Sequence, residues 1–219
     1  MNDTFKSYIS IPSGKVKLEG DLVIPFEAKG LIVFAHGSGS SRFSSRNKMV
    51  AEKLQHNLYA TLLFDLLTSE ENEKYEKRFE ISLLTNRLID VTNWLTKQEL
   101  TSKLPIGYFG ASTGAAAALR AAAEDPNNIK AVVSRGGRPD LAADTLDIVF
   151  CPVLLIVGSM DTDVITLNQM ALKKIASDEK ELKIISGANH LFEEPGKLEK
   201  VSEMAVNWFD QYVRDKVLV

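Results

Sequence analysis

The sequence predicts an α/β protein built on parallel strands and opened by an antiparallel hairpin. Three observations predict it. From Gly30 onward, short and nearly continuous apolar runs recur at Leu31–Ala35, Ala60–Phe64, Ile106–Phe109, Ala131–Val133, Val153–Val157 and Leu182–Ile185, the pattern of strands buried on both faces. Longer amphipathic stretches separate them, and a helix between two such strands implies parallel pairing. Before Gly30 the grammar differs: Thr4–Ile11 and Lys15–Ile24 alternate apolar and polar positions across the turn Pro12-Ser13-Gly14, which reads as a hairpin.

The helical stretches follow from their spacing. Ile81, Leu84, Leu88, Val91, Trp94 and Leu95 recur every three or four residues within Ile81–Lys97 and give one apolar stripe. Ser112–Glu124 is almost entirely small, Ala115–Ala118 above all, so this helix can lie close to the sheet. Lys197–Arg214 places Leu198, Val201, Ala205, Trp208, Phe209 and Tyr212 on one side and reads as a core-covering helix. Glu70–Glu80 is a charged cluster after a strand end; it reads as a solvated loop and helix start, with a flap over the site as the alternative. No repeat or Pro/Gly-rich linker interrupts the alternation, so residues 1–219 read as one domain.

Composition bounds the partners. Of 219 residues, 45% are hydrophobic and 25% charged, enough for a sizeable core. Lys plus Arg number 26 against 29 Asp plus Glu, a net charge of -3, so no basic field draws nucleic acid or an anionic membrane. The longest apolar runs fall far short of the roughly 20 residues of a membrane helix. The segment Met1–Lys6 lacks the basic and apolar regions of a signal peptide. The single cysteine, Cys151, begins an apolar run and reads as core, and a lone thiol fits a reducing compartment. A cytoplasmic protein with a small-molecule partner is the expectation; the sequence sets no oligomeric state.

The chemistry is concentrated in Gly110-Ala111-Ser112-Thr113-Gly114, a Gly-x-Ser-x-Gly segment with an apolar strand before it and a small-residue helix after it. A serine at the apex of such a turn is strained and exposed, and the flanking glycines let neighbouring chains approach. The helix start also directs unpaired N–H groups toward the site. A serine hydroxyl needs an adjacent base. There are three histidines: His56 lies at a helix end and His36 precedes the serine, whereas His190 follows the next strands in Gly187-Ala188-Asn189-His190. The order Ser, acid, His then requires a carboxylate between them, and Asp161 leaves the end of Val153–Val157. Asp163 is the competitor; standing just before a helix expected over Val164–Ile175, it reads as that helix's N-cap. His36-Gly37-Ser38-Gly39 supplies a turn whose backbone can face a substrate oxygen, with Ser38 N–H the first choice of donor, Gly39 next, and Thr113 N–H the second donor. His36 is expected to brace that loop and Asp65 to hold its neighbours.

These four ordered segments resemble those of α/β-hydrolases, in particular the dienelactone-hydrolase-like branch, from the first strand to the last helix. The resemblance implies a mostly parallel eight-stranded sheet with helices on both sides, and hydrolysis through an acyl-enzyme without a metal or organic cofactor. One departure stands out: dienelactone hydrolases carry cysteine as nucleophile, where this chain has Ser112, so the lactone substrate does not carry over. Larger relatives insert a cap domain between the strands ending near Ser134 and beginning near Pro152; the short connection in this chain implies a minimal or missing cap. The same connection carries Arg135 and Arg138, either a site for an anionic group on the substrate or anchors for the loop. The expected activity is serine hydrolysis of carboxylic esters or related acyl compounds, with acyl transfer on the same residues or a non-catalytic ligand-binding module as alternatives.

Overall fold

The computed structural model describes residues 4–213. The hairpin comprises β1 (Phe5–Ser13) and β2 (Val16–Ile24). Its register runs from Phe5 opposite Ile24 to Ser13 opposite Val16, leaving a two-residue loop, Gly14-Lys15. The turn is therefore tighter than Pro12-Ser13-Gly14. Such a loop needs a positive φ at its first position, and Gly14 supplies it at φ +57°, so Pro12 and Ser13 remain in the ladder.

Six further strands follow: β3 (Gly30–Ala35), β4 (Tyr59–Phe64), β5 (Ile106–Ala111), β6 (Ile129–Arg135), β7 (Val153–Gly158) and β8 (Lys180–Ile185). All eight form one sheet in the order β1-β2-β4-β3-β5-β6-β7-β8. Only the β1–β2 and β2–β4 pairings are antiparallel. The helices are α1 (Ser45–His56), α2 (Ser69–Glu73), α3 (Ile81–Leu95), α4 (Thr113–Glu124), α5 (Thr162–Lys174) and α6 (Lys197–Tyr212). The expected end of the last helix, Arg214, lies outside the described residues. No helix among the described residues is long and apolar enough to cross a membrane.

Strand alternation divides the apolar side chains between two cores. Leu31, Val33 and Ala35 of β3 face one core with α3 and α4, whereas Ile32 and Phe34 face the other with α1 and α6. The alanines of α4 are buried, all but Ala115 in the first core, and their small size permits the close approach expected of them. One strand departs from expectation. β8 read as buried on both faces, but most of its residues are partly or fully exposed, because it stands at the edge of the sheet, paired only with β7.

The chain steps from β3 to β4 on one side and later to β5 on the other, so the order reverses at β3. Loops at the carboxyl ends of strands flanking such a reversal form the binding crevice of open α/β sheets. Ala35 pairs with Gly110, which brings the loop after β3 beside the turn after β5. Between β6 and β7 lie only residues 136–152, with two 3-10 turns and no inserted domain. The charged cluster after β4 is ordered: Thr68 and Glu71 cap α2 reciprocally, and Arg78, within a 3-10 turn over Tyr75–Phe79, donates to Asn72 O at 2.8 and 2.6 Å. Asn72 and Arg78 line a small cleft with Gly39, so this segment lies against the loop after β3.

Candidate active site

Ser112 joins β5 to α4 at φ +51°, ψ -120°, a backbone state that costs a non-glycine residue about 1–3 kcal/mol. The surroundings enforce it. Ser112 N–H donates to Arg135 O at 3.2 Å, and Ser112 O accepts from Ala115 N–H and Arg138 N–H, both at 3.1 Å. A Cβ at Gly114 would stand 2.2 Å from Ala35 O, and one at Gly110 2.4 Å from Ala115 Cα. Gly37 makes the third close approach, since its Cβ would be 3.1 Å from Ser112 Cβ. Glycines on three segments thus let the strand ends close around the serine. Ser112 itself is partly exposed.

Asp161 and His190 come together from the ends of β7 and β8. His190 Nδ1–H donates to Asp161 Oδ2 at 2.5 Å, which leaves Nε2 as the proton-accepting nitrogen of the neutral ring. The histidine side chain is 38% exposed and the aspartate 16%. Their loops are stitched together by Met160 N–H on Ala188 O at 2.9 Å and Gly187 N–H on Ser159 Oγ at 2.8 Å. A Cβ at Gly158 would meet Ala188 O at 2.3 Å, so glycine is required where the two loops touch. Beyond His190, Asn189 Oδ1 accepts from Leu191 N–H and Phe192 N–H at 2.7 and 2.9 Å.

The capping expectation is corrected. Asp161, not Asp163, occupies the N-cap position of α5, and its side chain makes no capping bond. The helix begins two residues earlier than its apolar pattern suggests, so Asp163 falls inside the first turn and Asp161 is free to meet His190.

The two expected oxyanion donors differ. Thr113 N–H opens α4 and has no acceptor among the described residues, as the geometry of a helix start dictates. Ser38 N–H donates instead to Thr113 Oγ1 at 2.8 Å. It is therefore engaged, because the pairing of β3 with β5 sets the Thr113 side chain against the loop. Gly39 N–H has no acceptor among the described residues. His36 braces this loop from below: its Nδ1–H donates to Gly37 O at 3.0 Å and its Nε2 accepts from Leu66 N–H at 3.1 Å. The second bond needs Nε2 without a proton, and burial lowers the ring's pKa from the ordinary 6.5. Asp65 accepts from Arg42 N–H at 2.8 Å and pairs with its guanidinium. His56 sits in the last turn of α1, its Nδ1–H on Glu52 O at 2.6 Å, away from this chemistry.

Arg138 does not present a free guanidinium. Its Nε and Nη2 grip Asp140 at 2.9 and 2.8 Å, and this pairing raises its pKa; it anchors the loop, as the alternative reading had it. Arg135 is different. Its side chain is buried and its Nε and Nη1 have no partner among the described residues. Arg46 of α1, which no sequence motif marks, lies near enough to lower the Arg135 pKa after burial has done so. Cys151 precedes β7 and packs against the core, its thiol pushed up to about 12 by burial. Among the described residues no group of three or more His, Cys, Asp or Glu is arranged to hold a metal ion. A cleft of about 520 Å³ opens beside His36, lined by Ser40, Arg42, Asp65, Thr68 and Asn72 among others; Ser112, Asp161 and His190 are not part of its lining.

Comparison with known proteins agrees with this architecture. Residues 28–214 match the family model of an alpha/beta hydrolase domain. A solved dienelactone hydrolase from Anabaena variabilis is 53% identical, with a TM-score of 0.93 over 96% of this chain and 99% of that one. Est1E from Butyrivibrio proteoclasticus shares the fold at a TM-score of 0.80 and 18% identity, over 93% of this chain and 98% of that one. A Mycobacterium tuberculosis protein provisionally named a phosphoribosyl transferase is 54% identical over 92% of this chain but only 45% of its own length. The chain thus spans about half the length of the curated relatives it matches first. With the family model spanning nearly all of the described residues and the eight-stranded sheet in place, the chain belongs to the α/β-hydrolase family, as a dienelactone-hydrolase-like member.

Proposed function

We propose that this α/β-hydrolase is a serine hydrolase of carboxylic esters or related acyl compounds, with Ser112 as nucleophile, His190 as base and Asp161 as its orienting acid. The observation that carries the reading is the strained Ser112 turn facing loops that hold a 2.5 Å His190–Asp161 pair. Ser112 Oγ attacks the acyl carbonyl as His190 Nε2 takes its proton. Asp161 fixes the tautomer through Nδ1–H and stabilises the imidazolium that forms. The carbonyl oxygen, now negative, is met by Thr113 N–H and, once Thr113 Oγ1 turns away, by Ser38 N–H. Collapse expels the alcohol, which receives the proton from His190. Water, deprotonated by the same histidine, then attacks the acyl-enzyme and releases the acid and Ser112.

Among the described residues Ser112 Oγ makes no hydrogen bond, so the approach of His190 Nε2 to it belongs to the substrate-bound state, where such contacts commonly tighten. The absence of an inserted cap domain favours small or accessible acyl groups. The expected outcome for Ser112→Ala is a fall in kcat of roughly 10⁴-fold or more on phenyl esters, with unchanged thermal stability. Turnover by Ser112→Ala at the wild-type rate would overturn the reading.

A further inference from the structure

The sheet ends at β8, whose outer edge has no strand beside it among the described residues. Val153 N–H donates to Glu179 O at 2.9 Å and Ser159 N–H to Ile185 O at 3.0 Å, so the main-chain groups of Glu179, Glu181, Lys183 and Ile185 turn inward to β7. Those of Lys180, Leu182 and Ile184 therefore turn outward. The side chains alternate as well. Leu182 packs against the core that holds α3 and α4, which puts Lys180 and Ile184 on that face; Ile184 is 46% exposed. Glu181 and Lys183 occupy the other face, where they line a groove with Met204 and Trp208 of α6 and pair with each other at 2.6 Å.

An open edge is a template for another strand, and charges along it restrict what can pair. In β8 the charges select one register. A second copy laid antiparallel about a two-fold axis at Leu182 sets Leu182 opposite its own counterpart, Lys180 opposite Ile184, and Glu181 opposite Lys183 on both sides of the axis. Each outward-facing residue then exchanges both main-chain bonds with the residue opposite it, and the stem of Lys180 covers the exposed Ile184 of the other copy. Other axes through the strand lose on charge. An axis at Glu181 or Lys183 sets that charge against its own copy, one at Lys180 opposes two lysines and sets Glu181 against Glu179, and one at Ile184 leaves Glu181 and Lys183 opposite Gly187 and Ile185. Cross-strand pairs of unlike charge stabilise a sheet and like pairs destabilise it. The opposite edge of the sheet offers nothing comparable: β1 includes Pro12, which has no N–H to donate, and Lys6 is its only charged residue.

We propose that β8 is an interface between two copies of this chain, which join their sheets edge to edge about a two-fold axis at Leu182. The partner is a second copy because the charge pattern of β8 complements itself when the strand is reversed. The interface stands apart from the hydrolase reading and does not depend on Ser112 chemistry. It bears on the site in one respect: β8 leads into the loop of His190, so pairing its outer edge holds from both sides the strand that carries this loop.

The test is the mass of the protein in solution, measured by sedimentation equilibrium across the micromolar range at low ionic strength. Wild type is expected to form a dimer that dissociates on dilution and weakens as salt is added. Lys183→Glu, which places a carboxylate opposite Glu181 of the other copy, is expected to raise the dissociation constant at least tenfold. Combining it with Glu181→Lys reverses both charges and is expected to restore the dimer to within about threefold of wild type. Ile184→Pro removes an outward N–H and leaves the bonds to β7 in place; it too is expected to weaken the dimer at least tenfold, with far-UV circular dichroism confirming that the variant is folded. A wild-type monomer across the whole range overturns the interface, whether or not any variant folds. A dimer that folded Ile184→Pro or Lys183→Glu leaves unchanged overturns it as well, since another surface then holds the copies together. A double reversal no tighter than Lys183→Glu alone overturns the axis at Leu182 and the proposal with it.

Discussion

The two halves of the proposed reaction centre are built by different means. On the nucleophile side, Ser112 is held by main chain against main chain: Gly110 and Gly114 admit neighbouring backbone at distances no side chain could tolerate. On the base side, one such point exists, Gly158 against Ala188. Beyond it His190 is placed by hydrogen bonds, to Asp161 and within the turn capped by Asn189. The first half lies at the centre of the sheet and the second at its edge, beside the partly exposed β8. Packing fixes a nucleophile whose geometry is strained and must not relax. Polar contacts suffice for a base that has to approach and leave the serine oxygen.

This contrast predicts that changes on the base side reduce turnover with little loss of stability, and that changes at the glycines packed around the nucleophile cost stability. Asp161→Asn carries the largest effect. Its amide would face Nδ1 with the wrong partner or the wrong tautomer, so kcat is expected to fall by roughly 10³–10⁴-fold, with a melting temperature close to wild type. Ester kinetics beside a melting curve check this, and a large loss of stability would break the contrast.

Gly114→Ala is the converse. Its Cβ would press on the Ala35 and His36 carbonyls at 2.2 and 2.4 Å, backbone that cannot turn aside, and a destabilisation of about 3 kcal/mol or more is expected in urea unfolding. By comparison, Gly187→Ala meets nothing nearer than Lys197 Nζ at 3.5 Å; only its φ of +68° opposes the change, at about 1 kcal/mol. Similar costs for the two alanines would remove the distinction between packed and hydrogen-bonded halves.

Asn189→Ala leaves two amides of the His190 turn without their acceptor. The expected cost is about 1–2 kcal/mol at most, together with a kcat loss on the order of tenfold and a KM near wild type. Unchanged kcat would show that the turn does not position the histidine.

The smallest effect is one of pH. His36 is neutral in its two-bond setting and its pKa is lowered by burial. Below the unfolded value near 6.5, the unfolded chain binds a proton that the folded chain refuses. The stability present above that value is therefore lost as pH falls toward the folded pKa. Between pH 7.5 and 5.5, wild type should lose more stability than His36→Gln in urea unfolding. Parallel losses in the two proteins would show that His36 does not titrate between them.

Much of this arrangement is legible in the residues because it depends on local pattern. Apolar runs of three to five residues marked the inner strands, and chain order directed attention to His190 and to the acid loop after β7, where Asp161 was preferred because Asp163 read as a helix cap. The departures arise where one boundary or one distant neighbour decides. Asp163 read as a cap because the apolar periodicity of α5 begins at Val164, whereas the helix starts at Thr162. β8 read as buried because strand order, which puts it at the edge, is not written in its own composition. Ser38 read as an open donor because the acceptor that engages it, Thr113 Oγ1, comes from a segment 75 residues away. Arg135 and Arg138 looked alike in sequence, and the neighbouring Asp140 separates them: it pairs with Arg138, while Arg135 Nε and Nη1 are buried with no partner among the described residues.

The most direct test of the central claim is covalent. Wild-type protein treated with an alkyl fluorophosphonate, then digested and mapped by mass spectrometry, is expected to carry a single phosphonyl adduct on Ser112, and Ser112→Ala is expected to carry none. A wild-type protein that resists labelling, or an adduct on any other residue, would contradict the assignment of Ser112 as nucleophile.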